Sequence, residues 1–462
     1  MSKSPKKAEK NQSTKFVELP LVNVNAAGID IGDTLHVVAV PEGRCAGSPV
    51  KEFGTFTDDL WAIVNWLKAC KIDTVAMEST GIYWKNLGSL LISEGFEVYL
   101  VNARHTRNIT GKKTDESDAQ WIQKLHSCGL LKSCFLPDDQ TDILRTLVRH
   151  RRKLIRDSST VVLRMQKALE LMNLKIHTVI SDLMGKTGKA MIEAILSGER
   201  TAESFLPFVD SRIKADRKDI VSSLKGNWRS EQLFLLEQHY AQYKFLQDQL
   251  LRCEQQIEHQ LQHMHASINN GVAEPEKEVR LTPKGKVSKQ KKDKNQPYFD
   301  AKAYLKGIHQ VNVLDIYGLN EGSALEILSE TGTKLHKWPS AEHFVSWLNL
   351  CPNNKISGGK LISSKLPRKK TNAAAQAFRM AAGGVQNSNS LLGHFFRKMK
   401  IKGGHKYAIV ATARKIAIIY YKIVTEKQPF NPLNSDEHYQ RQQKARIAKL
   451  EKTLSKLKQQ VA

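Results

Sequence analysis

Four acidic residues near the start of the chain have the types and spacing of a metal-dependent catalytic centre. Asp30 lies between two isoleucines in GIDIG, whose pattern predicts a buried strand. A carboxylate there costs several kcal/mol unless it is paired or bound to a metal. Glu78 ends the apolar segment TVAMES, and a carboxylate at the C-terminal end of a strand faces a cleft. Asp115 and Asp118 in KTDESDA have the i, i+3 spacing that places two carboxylates on one helix face.

Together these residues predict a site for Mg²⁺ or Mn²⁺, because carboxylates without histidine or cysteine suit a hard cation. Two such ions about 4 Å apart can hold a phosphodiester and activate the attacking nucleophile. Each acid also has an ordinary explanation: a hydrogen-bonded core aspartate, a helix-capping glutamate, or acids at a helix N-terminus. The metal hypothesis therefore depends on the four residues converging at one end of a sheet.

The segments around these acids predict an α/β domain that brings them together. AAGIDIG, TLHVVAV and VKEFGTF read as strands, and helix and strand patterns then alternate up to the helical SDAQWIQKLHSCG. Three adjacent strands followed by alternating helices and strands indicate a mixed sheet. This order is expected of a ribonuclease-H-like fold, although it also fits other sheets.

Two long helical stretches follow, at residues 143–172 and 229–262, each with apolar residues in a heptad-like repeat. A coiled-coil hairpin that dimerises and a hairpin that packs only within the chain both explain the repeat. Four arginines recur on another face of the first stretch, with no acid among them before Asp157. This favours phosphate contact over a solvated charged face. The arginines are Arg145, Arg149, Arg152 and Arg156.

Composition shifts along the chain predict six regions, of which the last is a basic amphipathic helix suited to a partner helix or to nucleic acid. They are residues 1–24 (basic flexible tail), 25–140 (α/β domain), 141–263 (helical region), 264–300 (basic linker insertion), 301–430 (mostly helical domain with glycine-rich turns) and 431–462 (basic helical tail).

The composition indicates a folded protein with a polyanionic partner. The chain has 462 residues, enough for two or three domains. Its 71 lysines and arginines against 46 acids give a net charge of +25, for which a merely soluble cationic surface is the alternative. The sequence contains no apolar run of about 18 residues, no secretory signal and no Cys-x-x-Cys pair among its six cysteines. We therefore expect a cytoplasmic protein without membrane contact, disulfides or a zinc ribbon.

GIDIG, MEST and KTDESDA, in this order, resemble the DEDD transposases of insertion sequences, which carry a RuvC-like domain related to Holliday-junction resolvases. GIHQVNVLDIYGLNEGSALEILSETG resembles the helix-hairpin-helix region of that family, and FVSWLNLCPNNKISGGK resembles its second conserved block. The resemblance covers most of residues 25–425 and implies a RuvC-like fold for the α/β domain. It also implies that Asp30, Glu78, Asp115 and Asp118 form the metal-binding tetrad.

The same resemblance implies that Ser357, in ISGG, attacks DNA and becomes linked to a phosphate. Such a link conserves bond energy for rejoining strands. By composition alone Ser357 is a turn residue before two glycines, and Ser363 and Ser364 lie close to it. Because the serine and the tetrad fall in different predicted domains, the complete site has to be assembled, within one subunit or across subunits.

Members of this family use a structured noncoding RNA from their own element to pair with target and donor DNA. The resemblance therefore implies an RNA-guided recombinase in the nucleoid of a bacterium or archaeon, acting as a homodimer or a dimer of dimers. This sequence departs from the family in three places. The hairpin IYGLNEG lacks the usual Pro-Gly turn, Cys351 precedes proline where the family has glycine-leucine, and the basic insertion and tail exceed the family pattern.

Further basic residues flank the acidic and serine motifs, and we predict phosphate contacts for them, with a solvated charged loop as the alternative. They are Arg104, Arg107 (with His105 between them), Lys112, Lys113, Lys360, Arg368, Lys369 and Lys370.

The leading prediction is a metal-dependent DNA transposase that cuts and rejoins strands with a serine nucleophile. A Holliday-junction-type nuclease without strand transfer needs the tetrad but not Ser357. An actin-like or sugar-kinase ATPase also begins with a loop like GIDIGDT, but its second Asp-x-Gly loop and its adenosine motif are missing from the sequence. A non-catalytic nucleic-acid-binding protein explains the charge and leaves Asp30 and Glu78 as costly buried acids.

Overall fold

The computed structural model describes most of the chain as two compact units, residues 1–136 and 137–462. The side chains of residues 115–117, 353 and 365 are not described, and residues 276–294, most of the predicted insertion, lie outside the described residues. The described residues are 20–79, 81–102, 115–275, 295–366, 372–431, 440, 443–445, 447–448, 450–451 and 453–455.

The first unit contains a five-stranded mixed sheet with the order β3-β2-β1-β4-β5. Strand β1 pairs antiparallel with β2 and parallel with β4; β2–β3 is antiparallel and β4–β5 parallel. The mixed sheet predicted from the sequence is confirmed. The strands are β1 (Ala26–Ile31), β2 (His36–Ala39), β3 (Val50–Phe53), β4 (Thr74–Glu78) and β5 (Glu97–Val101).

Helices cover both faces of this sheet. Helices α1 (Thr57–Ala69) and α2 (Trp84–Ser93) share one core with Ala27 and Ile29, whose side chains face the same side of β1. Helix α3 (Asp115–Ser127) covers the other face, where its Ala119 and Ile122 join two smaller apolar clusters. Since residues alternate between the faces of a strand, Gly28 and Asp30 face α3.

The second unit begins with two long helices, α4 (Asp139–Leu171) and α8 (Ser230–Ile268), which pack side by side in opposite directions. Gln260 donates to the carbonyl of Gln140 at 3.0 Å, and Gln247 donates to Ser158 at 3.2 Å. The predicted hairpin therefore packs within the chain, and its dimerisation stays a prediction. Between the long helices come α5 (Ile176–Val179), α6 (Lys186–Leu196), a 3₁₀ helix (Ala202–Phe208) and α7 (Arg217–Ser223).

The rest of the second unit is mostly helical and surrounds an aromatic core that includes Phe344, Phe378 and Tyr420. None of the helices in the described residues is long and apolar enough to cross a membrane. The elements are α9 (Ala301–His309), α10 (Glu321–Thr331), α11 (Ala341–Trp347), the hairpin of β6 (Asn353–Ser357) and β7 (Lys360–Lys365), α12 (Ala373–Gly384), α13 (Leu391–Glu426), and 3₁₀ turns at Val313–Asp315 and Leu335–Lys337.

Candidate active site

Asp30 and Glu78 lie side by side at the C-terminal ends of two parallel strands. The register of β1 and β4 pairs Ile29 with Met77, so the next residues along both strands are Asp30 and Glu78. Adjacent residues of paired strands face the same side of a sheet. Both acids are partly exposed, whereas Ile29 and Met77 are fully buried. The two carboxylates thus emerge from the core at one edge of the sheet.

Gly28 allows helix α3 to lie directly on β1. A Cβ atom at Gly28 would stand 2.2 Å from the backbone nitrogen of Gln123 and 2.4 Å from the carbonyl oxygen of Ala119. The first glycine of GIDIG is therefore required by close packing. The side chain of Gln123 also donates to the carbonyl of Ala26 at 3.3 Å. Because α3 runs opposite to β1, its first turn, with Asp118, lies towards the end of β1 that carries Asp30.

His126 holds the other end of α3 against the sheet. Its Nε2 atom lies 2.9 Å from the hydroxyl of Thr74 on β4, and its ring lies 4.6 Å from that of Tyr99 on β5. Burial lowers the pKa of His126 to about 4, so the ring is neutral at pH 7. A neutral ring can hydrogen-bond the hydroxyl without placing a charge in the core. This residue, which the sequence reasoning missed, helps to orient the helix that carries Asp118.

The topology brings Asp30, Glu78 and Asp118 to one edge of the sheet, and Asp115 begins the same helix turn, although its side chain lies outside the description. Within the described residues, no group of three or more ligating side chains is close enough to hold a metal ion. The donors themselves are carboxylates without histidine or cysteine, which fits a hard cation such as Mg²⁺. Metal binding by these residues stays a prediction.

Ser357 stands at the tip of an exposed β-hairpin. It is the last residue of β6 and pairs with Lys360, the first of β7. Gly358 and Gly359 between them have φ angles of +54° and +74°, the conformation that a two-residue type I′ turn requires and that glycine adopts without strain. Both Ser357 and Lys360 are exposed. The two glycines after the serine therefore form a tight turn that presents its hydroxyl to solvent.

The two neighbouring serines differ from Ser357 in their surroundings. The hydroxyl of Ser364 donates to the side chain of Asn354 at 2.8 Å, and Ser363 is half-buried. Among the residues that the structure describes, no side chain or backbone group bonds the hydroxyl of Ser357. Of the three serines, Ser357 is therefore the one most open to a reactant.

The arginine row on α4 has acidic partners that its own segment does not contain. Arg149 forms a two-point ion pair with Glu330 on α10, at 2.7 and 2.8 Å, and this hydrogen bonding raises the pKa of Arg149. Arg145 donates to the carbonyl of Glu330 at 2.8 Å, and Arg152 lies 3.9 Å from Glu326. These partners come from about 180 positions later in the chain, so the absence of acids within the segment itself did not indicate them.

Arg156 is exposed, and it and the three paired arginines remain predicted phosphate contacts. Seven other basic residues predicted to contact nucleic acid lie outside the described residues: Arg104, Arg107, Lys112, Lys113, Arg368, Lys369 and Lys370.

Comparison with known families places both candidate regions within transposase domains. A DEDD transposase model of the IS110 type matches residues 27–174, which hold the sheet and its acids. The model of the transposase IS116/IS110/IS902 family matches residues 311–396, which hold the Ser357 hairpin. A search of curated proteins finds no match.

These two matches, one over the sheet with its acids and one over the serine hairpin, define the class of the protein as a transposase. Within that class, the chain belongs to the IS110-type transposases.

Proposed function

We propose that this transposase cuts and rejoins the DNA strands of an insertion sequence through a covalent bond to Ser357. The observation that carries the proposal is the exposed position of this hydroxyl at the tip of a glycine turn, within the segment matched by a transposase family. A nucleophile has to reach the phosphorus of a bulky substrate, and a hairpin tip offers that reach.

The proposed reaction consists of two exchanges at phosphorus. The oxygen of Ser357 attacks a DNA phosphate, loses its proton and forms a phosphoserine ester, while the bond from phosphorus to one sugar oxygen breaks and that oxygen takes up a proton. A hydroxyl of another DNA strand then attacks the ester, joins that strand to the phosphate and returns the serine hydroxyl. The number of phosphoester bonds is unchanged, so no external energy source is required.

Asp30, Glu78, Asp115 and Asp118 are the proposed ligands of Mg²⁺. A bound Mg²⁺ would supply Lewis-acid stabilisation of the negative charge on the reacting phosphate. The neighbouring ends of β1 and β4 and the close packing of α3 on Gly28 support this assignment. A RuvC-like or ribonuclease-H-like fold is part of the proposal. The strand order β3-β2-β1-β4-β5, with three antiparallel strands followed by two parallel ones, supports it.

A structured noncoding RNA that pairs with DNA is the proposed source of target choice. The net charge of +25 supports a partner bound through phosphates. A protein that delegates sequence reading to base pairing needs many phosphate contacts and few contacts to base edges. The functional assembly is proposed to be a homodimer or a dimer of dimers.

The test is incubation of the purified protein with Mg²⁺, element-end DNA and RNA transcribed from the flanks of the element, followed by denaturing gel analysis. The wild type is expected to give a protein–DNA adduct that requires Mg²⁺. The adduct should disappear in Ser357→Ala and in Asp30→Asn, because each change removes one part of the proposed chemistry. Ser364→Ala is the matched control, since it removes a hydroxyl from the same hairpin and should leave the adduct.

An adduct that persists in Ser357→Ala would contradict the serine assignment. Free cleaved ends that survive Ser357→Ala but not Asp30→Asn would identify a Holliday-junction-type nuclease without strand transfer.

A further inference from the structure

Helix α13 contains a sharp turn at Gly404, and we name residues 398–407 around it the basic knuckle. Gly404 has a φ of +79° and a ψ of 178°, which is incompatible with a helix and essentially restricted to glycine. The ammonium of Lys415 lies 4.7 Å from the ring centre of Phe395, and the rings of Phe396 and His405 lie 5.6 Å apart. In a straight helix, 20 residues would span about 30 Å. The arm after Gly404 therefore folds back along the arm before it.

The basic knuckle projects from the unit. All eight residues from Lys400 to Tyr407 are exposed, and Ile401 is 90 % exposed. A helix lying on a protein core buries a residue at every third or fourth position, and this segment has no such position. Its side chains can thus be contacted from several sides by a partner.

The charge of the basic knuckle is of one sign. Lys398, Lys400, Lys402 and Lys406 surround the turn, and the sequence has no acid from Leu391 until Glu426. In the part of the chain that the structure describes, no carboxylate forms an ion pair with any of these four lysines. By contrast, helices α4 and α10 of the same unit pair their charges with each other, as Arg149 and Glu330 do.

The combination of four lysines with one protruding isoleucine fits nucleic acid. Lysines replace condensed counterions along a phosphate backbone, and an exposed isoleucine can enter a groove between base steps. A single isoleucine offers too little apolar area for a membrane or a hydrophobic protein partner. The basic knuckle lies after residue 396, the end of the family match.

We propose that the basic knuckle is a nucleic-acid site, in which its lysines bind phosphates of a duplex and Ile401 enters the groove. The nature of the partner rests on the proposed function, because a strand-transferring transposase must hold duplex DNA, and an RNA-guided one also holds RNA.

The test compares two triple variants of the full chain by fluorescence anisotropy, with labelled duplex DNA and duplex RNA of one sequence over a range of salt concentrations. Lys400→Gln with Lys402→Gln and Lys406→Gln removes three knuckle charges. Lys214→Gln with Lys218→Gln and Lys225→Gln removes three exposed charges elsewhere in the same unit. Affinity decreases with salt, so the slope of log affinity against log salt is negative. Its magnitude should decrease by about 3 in the knuckle variant, about 0.9 per lysine on DNA. The control should keep the wild-type slope.

If the knuckle variant has a less steep slope with only one of the two duplexes, the site is supported, and that duplex shows whether DNA or RNA occupies it. Equal slopes for the knuckle variant and the control, with both duplexes, overturn the proposal. Lys402→Gln alone should reduce the magnitude of the slope by about 1. This single variant tests the site even if the triple variant fails to fold. Ile401→Ser should weaken duplex binding without changing the slope, and unchanged binding would overturn the groove contact.

The adduct assay separates this proposal from the proposed function. A knuckle variant that binds like the control, in a protein whose wild type forms the Ser357 adduct, overturns the knuckle alone. A wild-type protein that binds neither duplex overturns the proposed function and the knuckle together.

Discussion

Two arginines on one face of α4 contact α10 in different ways. Arg145 is 14 % exposed along its side chain and bonds backbone carbonyls of α10, while Arg149 is 56 % exposed and pairs with Glu330. Glu330 is 5 % exposed, and a carboxylate so buried requires charged partners. Burial lowers the pKa of Arg145, so its charge is costly without the nearby Glu330. These two arginines therefore join α4 to α10.

We expect Glu330→Gln to lower the free energy of unfolding by about 2–3 kcal/mol. Removing one partner of a fully buried pair costs about 3–5 kcal/mol, and the cost is smaller here because much of Arg149 remains hydrated. Urea unfolding followed by circular dichroism measures the change. Arg152→Gln breaks a longer and more exposed pair with Glu326 and should cost less than about 1 kcal/mol. Equal losses in the two variants would contradict the role of Glu330.

At the scale of elements, the placement of Asp118 relative to Asp30 depends on how closely α3 lies on β1. The contact is between backbones at Gly28, so no side-chain rearrangement can make room for a methyl group. A displaced α3 would move the carboxylate of Asp118 away from the edge where Asp30 and Glu78 emerge.

We expect Gly28→Ala to reduce formation of the Ser357–DNA adduct by about 100-fold, because a shift of about 1 Å at a reacting centre has that effect. Overpacking should also lower stability by about 1–3 kcal/mol. Adduct yield and urea unfolding measure the two effects. Gly384→Ala is the control, since a Cβ at this helical glycine meets nothing within 4 Å, and it should be neutral or slightly stabilising. A fully active Gly28→Ala would show that α3 need not lie so close.

The elements themselves were largely predictable from the sequence, and their long-range partners were not. Short apolar and alternating segments predicted the strands of the mixed sheet, because the period of a strand is a pattern of neighbouring residues in the sequence. The partnership of Arg149 with Glu330 joins residues about 180 positions apart, which no local pattern contains. The basic knuckle was also missed, since its lysines sit within a helical pattern and only the fold leaves every side chain from Lys400 to Tyr407 exposed. The serine turn was readable from two adjacent glycines.

For the whole molecule, the excess positive charge is confined to the second unit. Residues 1–136 contain 16 basic and 15 acidic residues, whereas residues 137–462 contain 55 basic and 31 acidic ones. The net charges are therefore +1 and +24. The unit with the acidic site carries almost no net charge, so its long-range attraction for polyanions is weak. The unit with Ser357 carries nearly all of the positive charge and therefore provides most of this attraction.

We expect the second unit to account for nearly all sequence-independent binding of nucleic acid. Each unit has its own apolar core, so we expect each to fold when it is produced separately. Residues 137–462 should bind a DNA duplex non-specifically with a Kd of about 10⁻⁴ to 10⁻⁶ M at physiological salt, whereas residues 1–136 should bind more weakly than about 10⁻⁴ M. Anisotropy titrations at several salt concentrations measure both, with the full chain as the reference. Comparable binding by the two units would show that net charge does not govern this affinity, and that the first unit holds DNA through contacts of its own.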